Sequence, residues 1–528
     1  MRSFRCRFAL LLGTLILLAL RPAAANDEVT LRVAYNTLPI SLDIHEQLSI
    51  GVLQLAHLTF DPLVRWNRHL TFEPRLATSW ERPDATTMRF HLRHGVVFHS
   101  GNPFTAQDVA WTVKRLKRSP DFKAIFDPIT RVDVIDDYTV DLHTRHPYPL
   151  LLNLATYIFP MDSRFYSGET EDGRDKAAIV KNGNSFASRH LSGTGPFTVE
   201  QIHPGTRIDL ERFPDYWDHD SPGNVDHLTL TPIGENATRV AALLSGDVDF
   251  ISPVPANALE RVRRAEGVKL LTMPGTRITM LQLNQQRVPA FRDPRVRRAM
   301  AYAVDQDAIA TRLLKGFVTP AAQMSPEGYA GHNPDLVPRH DLEKARQLMA
   351  DAGYSQGFEV TLMAPNNRYV NDAQMAQVAL AVSAMLAKIN IKVDFQTLPN
   401  SQYWEQFDAR AADIMMIGWY SDTNDSANFF EYLTFCPDSR TGVGFYNASE
   451  YCNPEVDSLV ELANGETDPE RRAGMLKRAE AMVYDDAPFI PLYWQNLAWA
   501  AADRVDIEPV LNVMNMPYLG DVVVEPRD

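Results

Sequence analysis

Apolar and polar residues alternate with period two over several stretches of the first half of the chain: Leu31 to Tyr35, Thr87 to Arg93 and Tyr138 to Thr144. Alternation of this kind turns one face of an extended segment inward and the other to water, so each stretch predicts a β-strand. Proline and glycine are scattered through the connections, with no internal repeat and no low-complexity tract. This half reads as strands broken by loops.

The period changes in the second half. Asp293-Pro294 predicts the start of a helix, a capping residue followed by proline at the first helical position. Val296, Ala299, Met300, Ala303 and Val304 then share one face. Asp341 predicts a second cap, with Leu342, Ala345, Leu348, Met349 and Ala352 inward and Gly353 past the end. A strand over Phe358 to Ala364 comes next, then a helix from about 372 to 388 and a strand over Ile391 to Leu398. A short helix over roughly 402 to 410 and a strand over Ala412 to Tyr420 complete the series. Strand–helix–strand–helix–strand implies a parallel sheet with right-handed crossovers.

Ligands of such sheets bind beyond the carboxyl ends of the strands. Arg368 follows the first of these strands and Asp422 the third, so a cation and an anion are expected on one rim, where a zwitterion could be held by both ends. Trp419 is a candidate aromatic wall of that cleft, with packing into the core of its own strand as the other reading.

The N-terminus decides the compartment. Arg2, Arg5 and Arg7 precede an apolar run from Phe8 to Leu20, and Ala23 and Ala25 satisfy the A-x-A cleavage pattern. The run is shorter than the roughly 20 residues that span a bilayer, which predicts a signal peptide over 1–25, cleaved after Ala25, and a soluble exported protein. Cys6 leaves with it. The net charge of −14 becomes −18 once Arg2, Arg5, Arg7 and Arg21 are removed, which argues against nucleic acid and anionic membranes as partners. The roughly 500 residues that remain exceed what one hydrophobic core usually serves, so at least two domains are expected. Cys436 and Cys452 remain, and an oxidising compartment favours a bridge between them; two buried thiols are the alternative. No further Cys and no suitably spaced His accompanies the pair, so a metal site is not expected.

Other chemistry finds little support. Gly353-Tyr354-Ser355-Gln356-Gly357 has the letters of a nucleophile elbow, but that motif needs a strand before it and a helix after it, and the predicted order here is reversed. Ser355 therefore reads as part of a helix-ending turn. His91, His94 and His99, and His143 with His146, read as solvated or structural, since His91 and His94 face opposite sides of a strand. No zinc-protease, Walker A or dinucleotide fingerprint occurs. No catalytic residue, cofactor or metal is expected, and the chain does not read as an enzyme.

Several longer stretches carry a resemblance: LATSWE (Leu76 to Glu81), FHLRHGVVFHSGNPFTAQDV (Phe90 to Val109), GTGPF (Gly193 to Phe197) and LLSGDVDFI (Leu243 to Ile251). FRDPRVRRAMAYAVDQDAI (Phe291 to Ile309) and DDAPFIPLYW (Asp485 to Trp494) follow in order. Together they resemble the family 5 bacterial extracellular solute-binding proteins over nearly the whole mature chain. The resemblance implies an α/β periplasmic binding protein fold of two lobes joined by two crossing segments, with the ligand cleft between them. Lobe I would be 26–274 completed by 491–528, with a subdomain inserted over about 52–190, and lobe II would be 275–490. The implied function is that of a periplasmic receptor of an ABC importer, a monomer that closes on a short peptide or peptide-like ligand and delivers it to the inner-membrane permease. A receptor for a metal chelate such as nickel or a metallophore, or a sensor of the same fold, is the alternative.

Within the family, GWYSDTNDSANFFEYLTFC (Gly418 to Cys436) looks most like the dipeptide receptors. That likeness implies that Asp422 accepts the ligand's ammonium group, that Arg368 pairs with its carboxylate, and that Cys436 and Cys452 are bridged. The family pattern continues as Asp-Pro where this chain has Asp425-Ser426, a departure that bears on strict dipeptide specificity.

Overall fold

The computed structural model describes residues 28–526 except 40, 181–183, 204, 366–374, 422 and 439–442. The putative leader, Arg368 and Asp422 therefore lie outside the described residues.

The first strand, β1 (Thr30–Tyr35), is the stretch whose alternation predicts it. Helix α1 (Ile50–Thr59) follows, capped by the Ser49 hydroxyl accepting from the Val52 amide. Strands β2 (Ala77–Asp84) and β3 (Thr87–Leu92), helix α2 (Ala106–Leu116), and strands β4 (Ile129–Asp136) and β5 (Thr139–Thr144) come next. The four strands pair in the order β2-β3-β5-β4, all antiparallel. Met88, Phe90, Leu92, Val140 and Leu142 point into a core shared with Phe104, Phe122 and Phe126, while Arg89 and His91 face outward, as period two requires. After the short helix α3 (Leu151–Ala155) the chain returns through β6 (Phe197–His203), β7 (Arg207–Arg212), β8 (His227–Pro232) and β9 (Phe250–Ser252).

The long strand β10 (Val268–Leu283) then crosses to the second half of the molecule. There α4 (Pro294–Ala303) begins at Asp293, whose side chain accepts from the Arg295 amide, and Val296, Ala299, Met300 and Ala303 are buried. Beyond strand β11 (Val318–Pro320), α5 (Leu342–Asp351) is capped by Asp341 and ends before Gly353, which takes the left-handed conformation at φ 84°. The alternating series continues with β12 (Phe358–Pro365), α6 (Met375–Leu386), β13 (Ile391–Leu398), α7 (Asn400–Asp408) and β14 (Ile414–Trp419). β12 runs parallel to both β13 and β14, as the sequence predicts. Helix α7 starts two residues earlier than expected, because Pro399 supplies the turn into it. Helices α8 (Ser426–Leu433), α9 (Pro454–Gly465) and α10 (Pro469–Asp486) precede the second long strand, β15 (Phe489–Ala502), which crosses back.

One continuous sheet runs in the order β13-β12-β14-β10-β15-β9-β1-β8-β7-β6, with β11 added on β15. Its second-half portion is covered on both faces. Along β14, Ile414 and Met416 enter one core with Met300, Leu362 and Val378, whereas Met415 and Ile417 enter another with Phe430 and Leu476. A strand buried on both sides reads as an unbroken apolar run, which is the form of this segment in the sequence.

The first half holds helices where the pattern predicts strands and loops. In α1, residues 52–56, 58 and 59 are all buried, so no polar stripe marks the helix in the sequence. Helix α2 does carry a readable signal, a capping box in which Asp108 accepts from the Thr105 amide.

Candidate functional site

The two halves meet where β10 and β15 cross. Their antiparallel register is regular from Val268–Ala502 to Met273–Leu497, slips, and resumes at Arg277–Gln495. Pro274, Gly275 and Thr276 fill the slip. A side chain on Gly275 would bring its Cβ to 2.4 Å from the Gln495 carbonyl oxygen, so the close approach of the two chains needs glycine here.

A cavity of about 220 Å³ opens beside this crossing. Leu48, Ser49, Ile50 and Leu53 from the start of α1, with Tyr157, line one side. Thr276, Arg277, Gln495 and Leu497 from the crossing strands line its floor. Tyr420, Ser421 and Asn424, from the loop after β14, face it from the second half, and Val513 to Met516 from the C-terminal tail close it. Ile50 and Tyr420 are both 48% exposed, large apolar surfaces left open inside a concavity.

The tail is built by two asparagines. The Asn512 carboxamide oxygen accepts from the amides of Met514 and Met516, while its nitrogen donates to the Met516 carbonyl. Asn515, at φ 57°, accepts from Trp499 Nε1 through its side chain and from Gln54 Nε2 through its carbonyl. These bonds fix the tail between α1 and β15.

The loop after β14 is held from behind. Ser421 Oγ donates to the Asp425 carbonyl and accepts from the Asp425 amide. Asp425 caps α8 through the Ala427 amide and forms two 2.6 Å bonds with the guanidinium of Arg472, both side chains 6% exposed. The next residue, Ser426, accepts from the Gly331 amide. Where the family pattern has proline, this hydroxyl anchors the loop instead. Across the cleft, Asn153 Nδ2 of α3 donates to the Thr423 carbonyl at 2.9 Å.

Trp419 is half-buried, its Nε1 donating to Asn428 Oδ1 and its ring packed against Tyr446 and Tyr432. Successive strand residues point to opposite faces, so its neighbour Tyr420 lines the cavity. Sequence reasoning passed over Tyr420, Arg277 and the tail. The strand alternation leading to Trp419 was a usable signal for Tyr420, whereas the tail reaches the site through contacts more than 400 residues apart in the chain.

Other residues singled out by sequence have structural surroundings. Ser355 lies in the turn between α5 and β12, its carbonyl accepting from Asn390 Nδ2. His94 stacks on Tyr138, His143 sits between Thr87 and Asp133, and His99 bonds the Gly193 amide and the Gly195 carbonyl. Burial holds His99 down at about 4, a neutral ring within the core. Among the described residues no group of three or more His, Cys, Asp or Glu side chains could hold a metal ion. Cys436 and Cys452 are joined by a disulfide, Cα to Cα 4.3 Å, as expected.

The same architecture occurs in solved structures. A Helicobacter pylori ABC transporter-associated periplasmic binding protein DppA, in complex with the peptide STSA, superposes with a TM-score of 0.69 at 24% identity, covering 94% of this chain and 98% of that one. Among characterised relatives, the dipeptide-binding protein of Escherichia coli K12 is 28% identical over 439 residues, 79% of each chain. Heme-binding protein A of Haemophilus influenzae is 29% identical over 463 residues, 82% of this chain and 81% of that one. Residues 71–441 match the profile of the bacterial extracellular solute-binding proteins, family 5. With its two-lobed α/β fold and a cavity where the lobes join, this chain belongs to that family of extracytoplasmic solute-binding proteins.

Proposed function

We propose that the chain is the periplasmic receptor of an ABC importer, exported with cleavage after Ala25, that captures a short peptide or peptide-like ligand and hands it to a membrane permease. The observation that carries this reading is the cavity at the strand crossing, lined from both halves of the molecule and bordered by the loop that contains Asp422. Two compared proteins support the ligand class, since one is named for dipeptides and the other holds a peptide.

In this reading lobe I is 26–274 with a subdomain inserted over about 52–190, and lobe II begins at 275. Its return lies nearer the irregular pairing around Asn496 than residue 490. Asp422 takes the ligand's ammonium group, and Arg368 takes a carboxylate. Their preceding strands, β12 and β14, are parallel neighbours ending at Pro365 and Trp419, which favours one shared rim. Trp419 contributes as the head of the aromatic wall behind the loop. Ligand contacts made only when the lobes close shift the population toward the form the permease reads. Cavity-lining residues among those described include no His, Cys, Asp or Glu, so a metal chelate finds no direct ligand there.

Deleting the gene and following dipeptide uptake tests the transport role. Loss of uptake, restored by the intact chain, is expected; unchanged uptake alongside lost chemotaxis toward peptides would make the chain a sensor of the same fold.

A further inference from the structure

Arg277 is the charged residue among the described residues that line the cavity. It stands at the first regular pair after the slip in β10, opposite Gln495, where the two lobes hinge. Its Nη2 approaches the Gly418 carbonyl at 3.4 Å, and its guanidinium lies 5.5 Å from the ring centroid of Tyr420. These contacts orient the group at the floor without exhausting its chemistry, because a guanidinium presents five donors in a planar fork and serves several acceptors together. Facing it are Leu48, Ile50, Leu53, Val513, Met514 and Met516, an apolar wall from two segments that the asparagine-built tail brings together.

One cation at the floor and an apolar wall opposite define a ligand chemistry. We propose that the solute is an apolar monocarboxylate, whose carboxylate is taken by Arg277 and whose hydrocarbon part lies against the wall of α1 and the C-terminal tail. The inference rests on this cavity being the solute site. It makes Arg277 a specificity-determining residue, additional to Arg368 and Asp422. A bidentate guanidinium–carboxylate pair discriminates against an amide, which carries no charge and offers one acceptor. Methionine side chains adapt to varied shapes, so the wall selects for apolarity more than for one side chain.

The test is calorimetric titration of the exported protein with leucyl-leucine, leucyl-leucinamide, aspartyl-aspartate and octanoate, repeated with Arg277→Gln and Arg277→Lys. Leucyl-leucine is expected to bind at least tenfold more tightly than its amide and than aspartyl-aspartate. Arg277→Gln should weaken leucyl-leucine at least tenfold and abolish the preference for acid over amide. Arg277→Lys should keep part of that preference, and the unliganded melting temperature shows whether each variant is folded. Equal binding of acid and amide by the unaltered protein, or a preference that survives Arg277→Gln, overturns the inference and leaves the peptide reading intact. Silence with every dipeptide but Arg277-dependent binding of octanoate overturns the peptide reading and leaves the inference standing. Silence with all four probes overturns both.

Discussion

At the residue scale, charge and burial decide which side chains can act. An ammonium group drawn from water into a cleft needs an ionised carboxylate beside it, and Asp422 is the residue we assign to that task. Asp422→Ala is therefore expected to weaken peptide binding at least tenfold by calorimetry; unchanged affinity would remove Asp422 from the site. Glu480 shows the opposite behaviour. It is buried beneath the loop at Met324 and Ser325, accepting from the Ser325 amide at 2.8 Å, and burial lifts its carboxyl from an ordinary 4.5 to about 7. The folded chain then keeps a proton that the unfolded chain releases, so this group's contribution to stability falls as pH rises from about 4.5 to about 7. Glu480→Gln should flatten that part of the pH–stability curve in urea unfolding. An unaltered slope would mean that Glu480 ionises normally.

At the scale of elements, the loop after β14 depends on α8 and α10 behind it. Asp425 joins the two by capping the first and pairing with Arg472 of the second. Asp425→Ala leaves the Arg472 guanidinium buried without its carboxylate, an arrangement that costs about 3–5 kcal/mol. Urea unfolding measures it, and a loss below about 1 kcal/mol would contradict the account. The disulfide between Cys436 and Cys452 closes a short loop just beyond α8. Cys436→Ser should lower stability by about 3 kcal/mol through the freed loop of the unfolded chain. An unchanged unfolding midpoint would show that the native packing alone holds this loop.

Elements also show what was legible in advance. The alternating strands and helices from Phe358 to Trp419 were readable because each buries one stripe or a whole short run, and their parallel pairing followed from the order. The caps Asp293 and Asp341 were readable because a cap is a local chemical event. Helix α1 was not, since burial on all sides erases its period. The wall of the cavity was hidden for another reason: Ile50 and Met514 become neighbours of one cavity only after the tail folds back across the whole chain. Arg277 looked like any polar residue in an alternating strand, and only the slip in pairing with β15 sets it at the floor.

At the scale of the whole molecule, two crossing strands join the halves and the cavity lies beside the crossing, so a small rotation there changes the width of the cleft while both cores stay packed. Solute binding and lobe closure are then one equilibrium, and a ligand that favours the closed form stabilises the fold by its binding free energy. The measurement that tests this most directly is thermal unfolding of the exported chain, residues 26–528, with dipeptides, tripeptides and nickel–histidine each at high concentration. A peptide at 100 times its dissociation constant adds about 2.7 kcal/mol, and the account predicts a raised melting temperature with peptides. No shift with any peptide, and a shift with nickel–histidine alone, would contradict the peptide reading.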